Sequence, residues 1–195
     1  ATAGGELFVE APSSFIAGEM RVATGGRLVF AGSDQNFTSA ARFIGAGALQ
    51  FGRDSPPRAT AGSPSLHRAP AAAFTRSPGA SVESFDATLR IESPGTVAFE
   101  RLTLGHPLGV LSGDTALSVT QALTWSAGAI GSTTTGVDFQ VASGATATLS
   151  GGGLRNLTRT LDVAGTMVVE GGTLMLDGFT EVRIQSGALL RLTGT

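Results

Sequence analysis

Three tripeptides recur at intervals of 21 residues, Leu7-Phe8-Val9, Leu28-Val29-Phe30 and Leu49-Gln50-Phe51, each behind a small-residue turn. The turns are Gly4-Gly5-Glu6, Gly25-Gly26-Arg27 and Gly47-Ala48. A fixed period of this length with glycine turns constrains a chain to a solenoid, in which each repeat buries its apolar side on its neighbours.

From residue 117 the period returns as a four-point pattern. Leu117, Val119, Leu123 and Trp125 form the first set and Phe139, Val141, Ala145 and Ala147 the second. Leu161, Val163, Met167 and Val169 follow, then Val182, Ile184, Ala188 and Leu190. Within each set alternation by two describes strands with one buried face. The three-residue gap in the middle suits a corner between two strands. No stretch carries a sustained helical stripe with caps. The chain therefore reads as all-β, a parallel β-solenoid of 21–22 residues per coil. Some seven coils spaced about 4.8 Å apart would build a rod of roughly 30–35 Å.

Residues 52–86 break the rhythm. They hold Pro56, Pro57, Pro64, Pro70 and Pro78, five of the eight prolines, and proline donates nothing to a ladder. The expected organisation is N-terminal coils over 1–51, a proline-rich loop or arm inserted over 52–86, and C-terminal coils of the same stack over 87–195.

The stretches 123–128 (Leu-Thr-Trp-Ser-Ala-Gly), 143–149 (Ser-Gly-Ala-Thr-Ala-Thr-Leu) and 171–176 (Gly-Gly-Thr-Leu-Met-Leu) resemble repeats of secreted right-handed β-helix proteins, such as filamentous adhesins and autotransporter passengers. The resemblance covers all but the proline-rich insertion. It implies a right-handed coil and an extracellular or cell-surface place. The motifs encode a coil and no chemistry, so fold alone assigns no activity.

Composition excludes several chemistries. There is no cysteine, hence no disulfide, thiolate metal site or thiol catalysis. All 13 basic residues are arginine, which removes Schiff-base lysines and the Walker-type phosphate loop. A net charge of −2 argues against nucleic acid or an anionic membrane as partner. No apolar run is long enough to span a bilayer. The start at Ala1, without methionine, is read as a removed leader or as the cut end of a larger protein.

Polysaccharide-cleaving β-helices resemble this fold and carry clustered carboxylates on one face. Here Glu83 and Asp86 are close in sequence, with Asp34 and Asp54 near the N-terminal coils, and no spacing pairs two of them in one column. His67, inside the insertion, and His106, before Pro107, read as exposed loop residues. Neither a catalytic set, a metal site nor a cofactor site is expected. A flat ice-binding face would need Thr-x-Thr ranks in successive coils; Thr146 and Thr148 alternate, and no rank repeats.

Outward positions carry more. Ser118, Gln140, Asp162 and Arg183 form one column, in which Asp162 and Arg183 are candidates for an ion pair between coils. The adjacent column reads Thr124, Thr146, Val168 and Leu189. Phe8, Val29, Val168 and Leu189 form a candidate interaction surface, since exposed apolar columns call for a covering element or a partner. Both asparagines lie in acceptor sequons, Asn36-Phe37-Thr38 and Asn156-Leu157-Thr158, and are candidates for N-glycosylation. The last residues, Leu189 to Thr195, keep a strand pattern, and an open solenoid end is a template for association. The expected function is that of a non-enzymatic structural module of a surface filament, appendage or adhesin. Its partners would be other copies, surface or matrix proteins, or glycans. The alternative is a carbohydrate-binding or polysaccharide-cleaving β-helix.

Overall fold

The computed structural model describes residues 4–10, 14–31, 34–52, 65–74, 81–84, 86–92, 96–132, 138–178 and 180–193. They form a parallel β-solenoid, and the one helical element is the 3-10 turn Ala71–Phe74. Each turn of the chain crosses three faces, and strands on a face pair in parallel with those one turn before and after.

The first face carries Glu6–Val9, Arg27–Phe30, Ala48–Phe51, Ser81–Ser84, residues 101–104 and 122–125, Thr146–Leu149, Thr166–Val169 and Leu189–Leu192. The second carries an eight-stranded sheet from Ser14–Ile16 through Gln35–Phe37, Ser65–Pro70, Ala87–Glu92, Val110–Gly113, Gly128–Gly131 and Leu154–Thr158 to Thr173–Leu176. The third holds Glu19–Arg21 and Arg42–Ile44, then residues 96–99 and 116–119, Phe139–Val141, Leu161–Val163 and Val182–Ile184. Strands Thr96–Leu104 and Ala116–Trp125 run through the corner between the third and first faces, with an irregularity between Phe99 and Arg101. That continuity fuses the two ladders into one 12-stranded sheet.

Alternation dictates the core. Leu28 and Phe30 point inward one level from Leu49 and Phe51, as Leu102 and Leu104 do one level from Leu123 and Trp125, with Val82 on the level between the two groups. The N-terminal half is filled by aromatic rings: Phe30 stacks on Phe51 at 5.3 Å, and Phe37 meets Phe30 edge-on at 4.9 Å. Such pairs add about 1 kcal/mol each beyond the area they bury. Glycine is required where the backbone doubles back against the neighbouring turn. Gly113 has φ +131°, and a Cβ there would lie 1.9 Å from the Ile91 carbonyl oxygen.

Two expectations are corrected. The proline-rich stretch is not an excursion from the stack. Ser65–Pro70 pairs with Gln35–Phe37 and Ala87–Glu92, and Ser81–Ser84 pairs with Ala48–Phe51 and 101–104. Pro70 ends its strand and leads into the 3-10 turn, a place where the missing N–H costs little. The turn packs between Arg42–Ile44 and Thr96–Leu104, filling the third face at that level. Pro56, Pro57, Pro64 and Pro78 lie outside the described residues.

The four-point pattern is also corrected in its second half. Leu117, Phe139, Leu161 and Val182 share a column, as do Val119, Val141, Val163 and Ile184. Beyond the corner, the columns are Leu123, Ala147, Met167 and Leu190, and Trp125, Leu149, Val169 and Leu192. The corners at Gly144 and Gly187 contain a turn, closed by Ala145 N–H to Ala142 O and Ala188 N–H to Gln185 O, both 3.0 Å. Those turns add two residues, so Ala145 and Ala188 sit at corners.

Candidate interaction surfaces

The outer columns follow from the same register. On the first face one column runs Phe8, Val29, Gln50, Glu83, Thr103, Thr124, Thr148, Val168 and Arg191. Its neighbour runs Arg101, Ala122, Thr146, Thr166 and Leu189. Thr124 and Val168 therefore share a column while Thr146 and Leu189 belong to the next one, the two-residue corner turn having shifted them.

Of the candidate surface, Phe8 and Leu189 are exposed at 52% and 51%, and Val168 is half-buried. Val29 is corrected: it alternates with the core residues Leu28 and Phe30, yet it is fully buried. Beside it Arg27 donates to Gln50 Oε1 at 3.1 Å, lies 3.5 Å from Glu83 and 3.9 Å from Glu6, and Gln50 donates to Gly52 O. This network spans four successive rungs and pairs Glu83 with a guanidinium. Asp34 accepts the Leu66 N–H at 2.8 Å, which ties its carboxylate to the ladder. Asp54 lies outside the described residues, and among the described residues no three His, Asp or Glu side chains are grouped to hold a metal.

On the third face Ser118, Gln140, Asp162 and Arg183 do form one column. The expected ion pair is replaced by two other contacts. Arg183 Nε donates to Glu181 at 2.6 Å, two residues back and just ahead of its strand, while Asp162 accepts from Gln185. Both sequon asparagines are half-buried strand residues: Asn36 lies between Phe15 and Arg68, and Asn156 between Ala129 and Met175. Asn156 Oδ1 is buried without a hydrogen-bond partner among the described residues.

Three buried polar side chains were not anticipated in these places. His67 is wholly buried in a rung of the second face, beside Gln35 and 5.5 Å from the Phe51 ring. Burial pushes its pKa down to about 4, against the opposing pull of Asp34 and Asp86. His106 instead sits in a turn, where Nδ1 accepts the Leu108 N–H.

Arg155 and Arg159 flank Leu157 at a spacing of two, and all three point inward. Arg155 reaches the carbonyls of Trp125, Ser126, Ser150 and Gly171. Arg159 donates to Gly113, Thr115 and Gly131. Each guanidinium ties three consecutive turns through backbone carbonyls near the corners, a task its five donors suit. Burial lowers both pKa values, that of Arg159 to about 10, which leaves it charged at neutral pH. Gly172, at φ +75°, makes room, since a Cβ there would stand 2.5 Å from Arg155 Nη2. Gly172→Ala is expected to cost about 2 kcal/mol, from left-handed backbone strain plus displacement of the guanidinium. Urea unfolding checks this.

The end rungs complete the picture. Leu7 heads the inward column that Leu190 ends, and Leu192 ends the column begun by Val9, yet Leu7, Leu190 and Leu192 are 64%, 45% and 75% exposed. At the N-terminal end an apolar bowl of about 470 Å³ is lined by Leu7, Val9, Ile16, Met20, Leu28 and Phe30.

These features define a parallel β-solenoid with a continuous core and apolar end rungs. A scan against protein-family models finds no match, and searches of curated proteins and of solved structures find none either. No helix among the described residues is long and apolar enough to cross a membrane.

Proposed function

We propose that the chain is a non-enzymatic extracellular structural module, a β-solenoid segment of a surface filament, appendage or adhesin. The observation that carries this reading is the core that runs without interruption to inward yet exposed leucines at both end rungs. A stack of this kind extends by adding coils, and its backbone edges accept parallel strands. The polar groups support the same reading, because several of them, buried and exposed alike, are committed to holding turns together. Arg155 and Arg159 bond corner carbonyls, Asp34 a strand N–H, and Glu83 an arginine. The half-exposed outer columns would meet surface or matrix proteins or glycans, and Asn36 and Asn156 are the residues a secretory route would offer for glycosylation.

Antibodies against the chain are expected to label intact, unpermeabilised source cells or their shed filaments. A polysaccharide panel incubated with the purified chain should yield no new reducing ends. Label confined to the cell interior would sink the reading. A defined oligosaccharide product would replace it with the carbohydrate-active alternative.

A further inference from the structure

We infer that the first face binds the surface of ice, through five threonines that the stack arranges on a two-column grid. The inference goes beyond the structural-module reading and does not depend on it. Thr103, Thr124 and Thr148 follow one another in one outer column, and Thr146 and Thr166 are neighbours in the next. Ala122 and Val168 complete the three rungs from 122 to 168, so every outward position there carries a methyl group and none carries a charge. Rank 146–148 alone has threonine at both positions. The others fall into line through the turn at Gly144, which sets Thr148 rather than Thr146 beside Thr124. The grid stops at Arg101 on one side and at Leu189 and Arg191 on the other.

Neighbouring rungs stand about 4.8 Å apart, and alternate residues along a parallel strand about 6.6 Å apart. Both distances lie close to oxygen repeats on a prism plane of hexagonal ice. Pairing runs without a register shift from residues 101–104 through 122–125 and Thr146–Leu149 to Thr166–Val169. Beneath the grid Leu123, Trp125, Ala147 and Leu149 are fully buried and hold the backbone in place. Threonine is β-branched and stiff at χ1, so its hydroxyl and methyl keep fixed positions. Elsewhere threonine hydroxyls turn back on the backbone, as Thr120 does on Phe99 O and Thr193 on Val169 O. None of the five on the grid is hydrogen-bonded to another described residue, and Thr124 and Thr146 are exposed. A hydroxyl both donates and accepts, as a lattice water does. Other occupants fit this part of the face less well. Protein interfaces draw their energy from Trp, Tyr and Arg anchors, with threonine and valine under-represented, and a lipid surface calls for basic and aromatic side chains. The positions from Ala122 to Val168 offer neither.

Ice grown slowly in a dilute solution of the 195-residue chain tests this. The native chain should be taken up into the ice, while an inert protein of similar size stays in the liquid. Thr146→Arg sets a long charged side chain in the middle of the grid and should abolish uptake while keeping the native circular dichroism, which separates a lost face from a lost fold. Gln140→Arg makes the same change of charge on the third face and should leave uptake as it is. Ala122→Thr combined with Val168→Thr completes three successive Thr-x-Thr ranks and should raise uptake above the native level. A native chain left in the liquid overturns the inference. So does uptake that survives Thr146→Arg, or that falls equally with Gln140→Arg. Sedimentation velocity covers the remaining occupant: association of copies that Thr146→Arg abolishes would give the face to a second chain and overturn the inference too. Cell-surface labelling reads the module proposal alone, so either can fail without the other.

Discussion

Replacing Arg159 with leucine is expected to destabilise the fold by about 4 kcal/mol. The guanidinium makes four hydrogen bonds, to Gly131 at 3.0 and 2.6 Å, Gly113 at 2.6 Å and Thr115 at 3.1 Å, and the side chain is 3% exposed. Leucine fills similar apolar volume and removes the cost of burying a cation, visible in the lowered pKa. It leaves three buried carbonyls without donors, and each such loss costs about 1–3 kcal/mol. Arg159→Lys should recover little, because one ammonium on a flexible stem cannot span three carbonyls spread over two turns. Urea melts of both variants decide the matter. A loss under about 1 kcal/mol for leucine would mean that water supplies the missing donors.

Lowering the pH from about 6.5 to 4 should remove about 3 kcal/mol of stability through His67 alone. The unfolded chain takes up a proton on this imidazole near its ordinary value, 6.5, while the folded chain resists until about 4. Across that window unfolding binds a proton, so stability is complete above it and falls as the solution is acidified. Below about 4 both states are protonated and the loss stops growing. Carboxylates respond to acid too, so the measurement is a difference. His67→Leu, which extends the column of Leu89 and Leu111, should flatten the pH dependence by that amount. Equal slopes in variant and native chain would show that the histidine titrates normally in the folded state.

The solenoid was legible because its signal is local and repeated. Leu7, Leu28 and Leu49 name one column directly, and Leu117, Phe139, Leu161 and Val182 name another. What failed was whatever depends on counting through a corner. Gly144 and Gly187 each close a turn that inserts two residues, and a shift by two preserves the inward-outward alternation, so the pattern gave no warning. The prolines misled for a related reason. Pro70 ends a strand without weakening it, while His67 and Ala69 alternate inward ahead of it.

The buried polar groups were the least legible part. Arg155 and Arg159 stand two residues either side of Leu157, and that spacing was visible. It conflicts with the prior that arginine faces water, and only the positions of the corner carbonyls resolve the conflict. Val29 illustrates the reverse case: alternation places it on the outside, and the structure buries it there. The Asp162–Arg183 pair had its register right and its bond wrong, since Glu181, just ahead of the strand, takes the guanidinium.

Because the two arginines each tie three turns, the stack does not behave as a chain of identical links when pulled. A tension applied at the last rung would peel Leu189–Leu192, then Val182–Ile184 and Thr173–Leu176, each held on one side by a single neighbouring strand and its shared core. Peeling meets a different joint at Leu154–Thr158, where Gly171 above and Trp125 and Gly113 below are held through guanidinium groups. The force trace should show small early steps and then a single large one, with the turns from Gly113 to Gly171 giving way together. Under such a pull the arginines work as a ratchet stop: peeling is confined to the coils that follow them.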